Sequence, residues 1–168
     1  MRGGPMANTL IHVVHPFPPL YDEHSQILIL GSFPSVKSRE QRFFYGHPQN
    51  RFWPLIARLY GEDTPGSIEE KKALLHRHRI ALWDSIYSCD IVGSSDSSVR
   101  NAEPTDLRPI LAAAPIRQIY CNGQTSFRTF ARYQEQTLGR SAIALPSTSP
   151  ANAAWTLDRL AEAWQIIL

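Results

Sequence analysis

Sulfur is scarce in this chain, with two cysteines and two methionines in 168 residues. Cys89 and Cys121 form no CxxC pair, and a four-cysteine set for an iron–sulfur cluster is absent, so reduced thiols in a cytoplasmic protein are expected. Long hydrophobic runs are lacking too. None approaches the roughly 18 residues that a membrane span needs, and Met1–Asn8 has no basic region followed by an apolar stretch. A soluble protein with no membrane partner is expected, associated with the nucleoid if the source is bacterial. Nor does one sign of charge dominate: 17 Lys and Arg stand against 15 Asp and Glu, a formal +2 that permits nucleic acid without demanding it. Repeats and low-complexity tracts are missing.

Two catalytic signatures are also absent. No His-Glu-x-x-His helix motif occurs; His12, His15 and His24, or His76 and His78, sit among prolines and basic residues and read as surface histidines, so no metal is expected. No Gly-x-Ser-x-Gly elbow occurs either. Ser32 follows an apolar run, but Phe33-Pro34 after it is a poor helix start, which argues against a serine hydrolase built on Ser32 or Ser35, His47 and Asp84.

What is present is a globular pattern. With 43% hydrophobic residues the chain can bury one core and is too short for two comfortable domains, so residues 1–168 are expected to form one domain, with 1–14 a flexible or peripheral extension. Four nearly continuous apolar runs read as strands covered on both faces: Gln26–Gly31, Ile80–Asp84, Gln118–Asn122 and Ala142–Leu145. Helices are expected over Arg51–Tyr60, Ile68–His78, Asp106–Ala114, Thr125–Gln136 and Ala151–Ile166, the last starting behind Pro150. The alternation predicts an α/β fold, a three-layer α/β/α domain around a central, mainly parallel four-stranded sheet. The proline-rich stretch His15–Tyr21 is expected to be an extended strip.

In open sheets of this kind ligands gather at the carboxyl ends of the strands. The segments there are Gly31-Ser32-Phe33-Pro34-Ser35, Trp83-Asp84-Ser85, Asn122-Gly123-Gln124-Thr125 and Pro146-Ser147-Thr148-Ser149-Pro150-Ala151-Asn152. The first of these, with Gly46-His47-Pro48-Gln49-Asn50-Arg51-Phe52-Trp53 behind it, resembles the first motif of the mismatch-specific and hypoxanthine branches of the uracil-DNA glycosylase superfamily. Ser147–Asn152 resembles the loop that these proteins press into the DNA minor groove. Similarity is greatest to the hypoxanthine branch, through His15-Pro16-Phe17-Pro18-Pro19, Gly31–Ser35, Ala81-Leu82-Trp83-Asp84 and Ser149-Pro150-Ala151-Asn152. Phe33 stands where the mismatch-specific branch has Asn, and Gly31–Ser35 holds no Asp, so water activation does not carry over from those branches.

The resemblance implies a monofunctional, cofactor-free and monomeric DNA glycosylase that hydrolyses the N-glycosidic bond of a deaminated base, hypoxanthine before uracil. Asn50 is its catalytic residue, expected to hold a water by accepting one hydrogen bond, although Asn is also favoured as a cap for a helix beginning near Arg51. A dissociative transition state needs stabilisation of the leaving base more than a strong nucleophile, and backbone N–H groups of Ser32–Ser35 are placed for that. Tyr45 is expected to stack on the flipped base. Asp84 is expected to accept the N1–H of hypoxanthine, which adenine lacks; a turn-stabilising role is the competing reading. Gly31, Ser32, Phe33 and Pro34 complete the base site. Ser147, Thr148, Ser149, Pro150, Ala151 and Asn152 are expected to grip DNA, with Lys37 and Arg51 on phosphates. The alternatives are a uracil or mismatch-specific uracil enzyme and, in another class, a non-catalytic nucleic-acid-binding module.

Overall fold

Each of the four apolar runs is a strand of one parallel sheet in the computed structural model, which describes residues 9–168. In chain order the first strands are β1 (Ile11–Val14), β2 (Ile27–Gly31), β3 (Ile80–Asp84), β4 (Ile86–Ile91) and β5 (Arg100–Pro104). They are followed by β6 (Gln118–Asn122) and β7 (Ala142–Leu145). The parallel sheet has the order β3-β2-β6-β7, and β2 and β3 are buried along their whole length. That two-sided burial is why these runs show no alternation of apolar and polar residues. The register pairs Gly31 with Asp84 and Asn122 with Leu145, so all four strands deliver their carboxyl ends to one rim.

The flanking helices are α1 (Val36–Gln41), α2 (Phe52–Leu59), α3 (Ile68–Arg77), α4 (Arg108–Ala113), α5 (Gln124–Tyr133), α6 (Glu135–Leu138) and α7 (Leu157–Trp164). They cover the sheet and make the chain an α/β domain of the expected class. Local chemistry sets several starts: Ser67 accepts from the Glu70 N–H ahead of α3, and Thr156 accepts from the Arg159 N–H ahead of α7. α2 lies against α7, and Phe52, Leu55, Ile56, Leu160 and Trp164 form the buried seam on this side of the sheet.

Two expectations need correction. A second, antiparallel sheet of order β1-β4-β5 joins the domain, and its strands have no apolar run that would announce them. Of the two alternatives expected for residues 1–14, flexible or peripheral, Ile11–Val14 fits the peripheral one as the edge strand of this sheet, while residues 1–8 lie outside the described residues. The last helix begins at Leu157, not Ala151, because residues 147–155 form a hydrogen-bonded loop of turns. The proline-rich strip is extended as expected. It caps the open edge of β3 through paired bonds, Leu20 N–H to the Leu82 carbonyl and Leu82 N–H to the Leu20 carbonyl.

Candidate active site

The four strand ends and two loops enclose a cavity of about 790 Å³ at the rim of the parallel sheet. Its floor forms where β2 and β3 end side by side. A Cβ at Gly31 would lie 2.4 Å from Asp84 Oδ1 and 3.1 Å from the Tyr45 hydroxyl, so only glycine lets these two groups meet over the strand end. Asp84 is buried, and its Oδ2 lies 2.7 Å from Nε2 of His15. An ionised carboxylate only accepts, so the proton of this bond belongs to Nε2. Nδ1 of His15 has no partner. His15 is walled by Phe17 and Trp83, with ring centroids at 4.5 and 4.2 Å. It is therefore a buried clamp on Asp84 and not the surface histidine expected from its neighbours.

Tyr45 adopts a left-handed backbone with φ 53° and stacks one ring face on Phe52 at 4.1 Å. Such a conformation costs on the order of 1 kcal/mol outside glycine. The hydroxyl is buried next to Asp84 and Asn122. Burial, reinforced by the Asp84 charge, pushes this phenol far above its ordinary range and keeps its proton in place.

Asn50 is fixed from two sides. Its Oδ1 accepts from the Phe52 N–H at 2.9 Å, at the start of α2, and from the Thr148 hydroxyl at 2.8 Å. Thr148 in turn accepts from Asn122 Nδ2 at 3.0 Å, and its N–H donates to Asn122 Oδ1 at 3.0 Å. This relay ties the first motif to the ends of β6 and β7. It also fills both lone-pair directions of the Asn50 oxygen, so the expected water-accepting role of that atom does not fit; the group Asn50 has left to offer is Nδ2–H.

The loop behind β7 is braced from within. Ser147 Oγ accepts from the Ser149 N–H, Ser149 Oγ accepts from the Ala151 N–H, and Asn152 Nδ2 donates to the Ser147 carbonyl. Arg51 sits beneath it and donates to the carbonyls of Thr148, Ser149 (2.8 Å), Asn152 (3.1 Å) and Trp155. Its donors are thus engaged inside the protein, which replaces the phosphate contact expected of it. Thr148 is fully buried and cannot touch DNA, whereas Ala151 stands exposed at the tip. Lys37 is exposed on α1, 3.5 Å from Glu40. Phe33 and Pro34 are buried; the Phe33 ring packs with Ile86, Cys89 and Ile91, between the two sheets.

Three residues of the site had no role in the sequence reading. His15 belongs to a motif that carries the resemblance but reads as a surface histidine among prolines, and Asn122 gives only the weak signal of a polar residue ending a strand. Asp96 comes from the loop between β4 and β5, where nothing marks it; it lines the same cavity, and Ser32 Oγ lies 3.0 Å from each of its carboxylate oxygens. Among the described residues no group of three or more His, Cys, Asp or Glu is arranged to hold a metal ion.

A family model described as the uracil DNA glycosylase superfamily matches residues 18–168. The chain belongs to the uracil DNA glycosylase superfamily. A hypoxanthine DNA glycosylase of Methanosarcina acetivorans is 34% identical over 155 residues, covering 90% of this chain and 95% of that protein. A second hypoxanthine DNA glycosylase, from Methanosarcina barkeri, is 34% identical over 112 residues, 66% of this chain and 71% of the relative. Among solved structures, the solution NMR structure of a candidate uracil DNA glycosylase from Methanosarcina acetivorans superposes with a TM-score of 0.77 at 33% identity, covering 90% of this chain and 93% of that one. Within this superfamily member, the rim cavity lies at the carboxyl ends of the strands, where the α/β architecture places ligands.

Proposed function

We propose that this chain is a monofunctional DNA glycosylase that, as a monomer, removes hypoxanthine from deoxyinosine in duplex DNA. The observation that carries the choice of base is the His15–Asp84 pair. A carboxylate locked as an acceptor at the cavity floor takes the N1–H of hypoxanthine and meets adenine's N1 lone pair with no proton between them. The names of the two Methanosarcina relatives point to the same base.

The flipped base enters the cavity against Tyr45, with Asp84 reading its edge. The C1′–N9 bond breaks through a dissociative transition state, and negative charge collects on the departing base. Backbone N–H groups of Ser32, Phe33 and Ser35 stabilise that charge; Pro34 has none to give. Asn50, held by Thr148 and by Phe52, points Nδ2–H at the oxygen of the attacking water and fixes its direction toward C1′. The braced loop Ser147–Asn152 presents Ser149, Pro150 and Ala151 to the minor groove and holds the duplex open, with Lys37 near phosphate.

Uracil also carries an N–H that Asp84 accepts, so the base is decided by experiment. Single-turnover base release is measured on matched duplexes containing one deoxyinosine, one deoxyuridine or neither, with wild type beside Asn50→Ala. Hypoxanthine release slowed about 100-fold in the variant, roughly 2.7 kcal/mol, is the expected result. Release of uracil alone assigns a neighbouring branch, and tight duplex binding without release of either base overturns the enzymatic reading.

A further inference from the structure

The saturated oxygen of Asn50 leaves the attacking water with a donor partner and no proton acceptor. Two carboxylates line the cavity, Asp84 and Asp96. One oxygen of Asp84 is held by His15 and the other is pressed over Gly31 at the floor, where the base edge is read. Asp96 is arranged differently. The Ser32 hydroxyl proton is shared between its two oxygens, 3.0 Å to each, and the Thr125 hydroxyl also reaches the carboxylate, which leaves part of its acceptor capacity open to a water. Its side chain is exposed at the cavity mouth while the walls of the cavity surround it, and it reaches there from a loop of a different sheet.

We infer that Asp96 is a catalytic residue of this glycosylase, the general base that accepts a proton from the water attacking C1′. In the step, a lone pair of the water oxygen forms the bond to C1′ as the C1′–N9 bond breaks and its electron pair leaves with the base. One water proton passes to the Asp96 carboxylate. The base anion then takes up one proton from solvent, Asp96 returns its proton to solvent, and the products are free hypoxanthine and an abasic deoxyribose. The inference rests on the glycosylase reading above.

The groups around Asp96 favour its holding a proton more readily than a free carboxylate. Although solvent reaches Asp96, the cavity walls displace much of the water around its carboxylate, and this desolvation, with repulsion from Asp84, raises its pKa against the stabilising hydroxyls of Ser32 and Thr125. The buried Cys89 thiol lies behind it, kept protonated by burial, which pushes it up to about 11. Arg39 faces that thiol and donates to the Gly93 carbonyl at 2.5 Å, while Arg100 is turned to the Ser97 carbonyl at 3.3 Å. His47 also lines the cavity. Among the described residues neither Arg39 nor Arg100 forms an ion pair with Asp96, so its charge is not neutralised by a partner.

The test is the pH dependence of single-turnover hypoxanthine release by wild type, Asp96→Asn and Ser32→Ala, each checked for folding by thermal denaturation and for binding to deoxyinosine duplex. Wild type is expected to show a rate that rises with pH to a plateau as Asp96 loses its proton. Asp96→Asn is expected to lose that rise and to fall about 10- to 100-fold below the plateau. This sits at the low end of general-base effects because the transition state is dissociative. Ser32→Ala removes a donor to the charged form, so the midpoint of its rise is expected to move to higher pH. An Asp96→Asn variant that releases base at the wild-type plateau rate with the same midpoint overturns the inference and leaves the glycosylase reading standing. Wild type that releases no base overturns both. Should Asp96→Asn fold poorly, the Ser32→Ala midpoint decides alone: an unchanged midpoint overturns the inference.

Discussion

The hydroxyl of Thr148 donates to the carboxamide oxygen of Asn50 at 2.8 Å, joining two motifs that lie 98 residues apart. Because Thr148 is also held by Asn122, the end of the central strand β6 sets the orientation of Asn50. Thr148→Val keeps the shape and removes the hydroxyl, leaving Asn122 and Asn50 short of a partner inside the protein. A buried group left so costs about 1–3 kcal/mol. Base release is expected to drop about tenfold, roughly 1.4 kcal/mol, with duplex affinity within about threefold of wild type.

Asn50 both caps α2 and faces the cavity, and one substitution separates the two tasks. Asp serves as well as Asn at a helix start, so Asn50→Asp is expected to keep thermal stability within about 0.5 kcal/mol. It lacks the N–H that would hold the water. Release at least about tenfold slower in a stably folded Asn50→Asp protein is the expected outcome; wild-type rates would show that Asn50 only caps.

Arg51 and Lys37 stand in the same neighbourhood and are expected to behave differently in salt. Lys37→Ala removes an exposed cation, and the slope of log affinity against log salt should shrink by about 0.9 if the residue meets one phosphate. Arg51→Met releases four carbonyls of the loop and should lower stability by about 2–4 kcal/mol. Its salt slope is expected to stay unchanged. A slope that falls with Arg51→Met would place this guanidinium on DNA after all.

Gly31→Ala places a methyl group 2.4 Å from Asp84 Oδ1, and Asp84 cannot retreat while His15 holds its other oxygen. Overpacking of this kind costs about 1–3 kcal/mol. Denaturant titration is expected to show that loss, together with base release below detection because the floor of the cavity has moved.

His15→Leu leaves the Asp84 carboxylate buried without its partner. Leaving a buried acceptor without its hydrogen bond costs about 1–3 kcal/mol, and the Asp84 carboxylate is no longer held in place from behind. A carboxylate free to turn away from the base edge no longer opposes adenine's N1 lone pair, so the ratio of hypoxanthine to adenine release is expected to fall. Competition between the two bases in one duplex measures it, and an unchanged ratio would remove Asp84 from base reading.

Part of this protein was legible in the order of its residues. β3, β6 and β7 match the apolar runs residue for residue, and β2 differs by one residue; β2 and β3 are apolar because they are buried on both faces, whereas β7 is a half-buried edge strand. Gly31 and Asp84 stood at strand ends, and the α/β architecture requires strand ends to form the rim of the site. The antiparallel sheet was not legible. Arg100–Pro104 is polar, exposed or half-exposed, and held by backbone bonds to β4, which leave no mark in side-chain hydrophobicity.

The sequence by itself determined the parallel sheet and the family motifs at its rim, since both depend on local composition and spacing. Only the tertiary structure decided what the polar residues do, because hydrogen bonds join residues by distance and not by order. It turned Arg51 inward to four carbonyls, buried His15 against Asp84, filled the acceptor of Asn50 with Thr148, and brought Asp96 from a second sheet to face the same cavity.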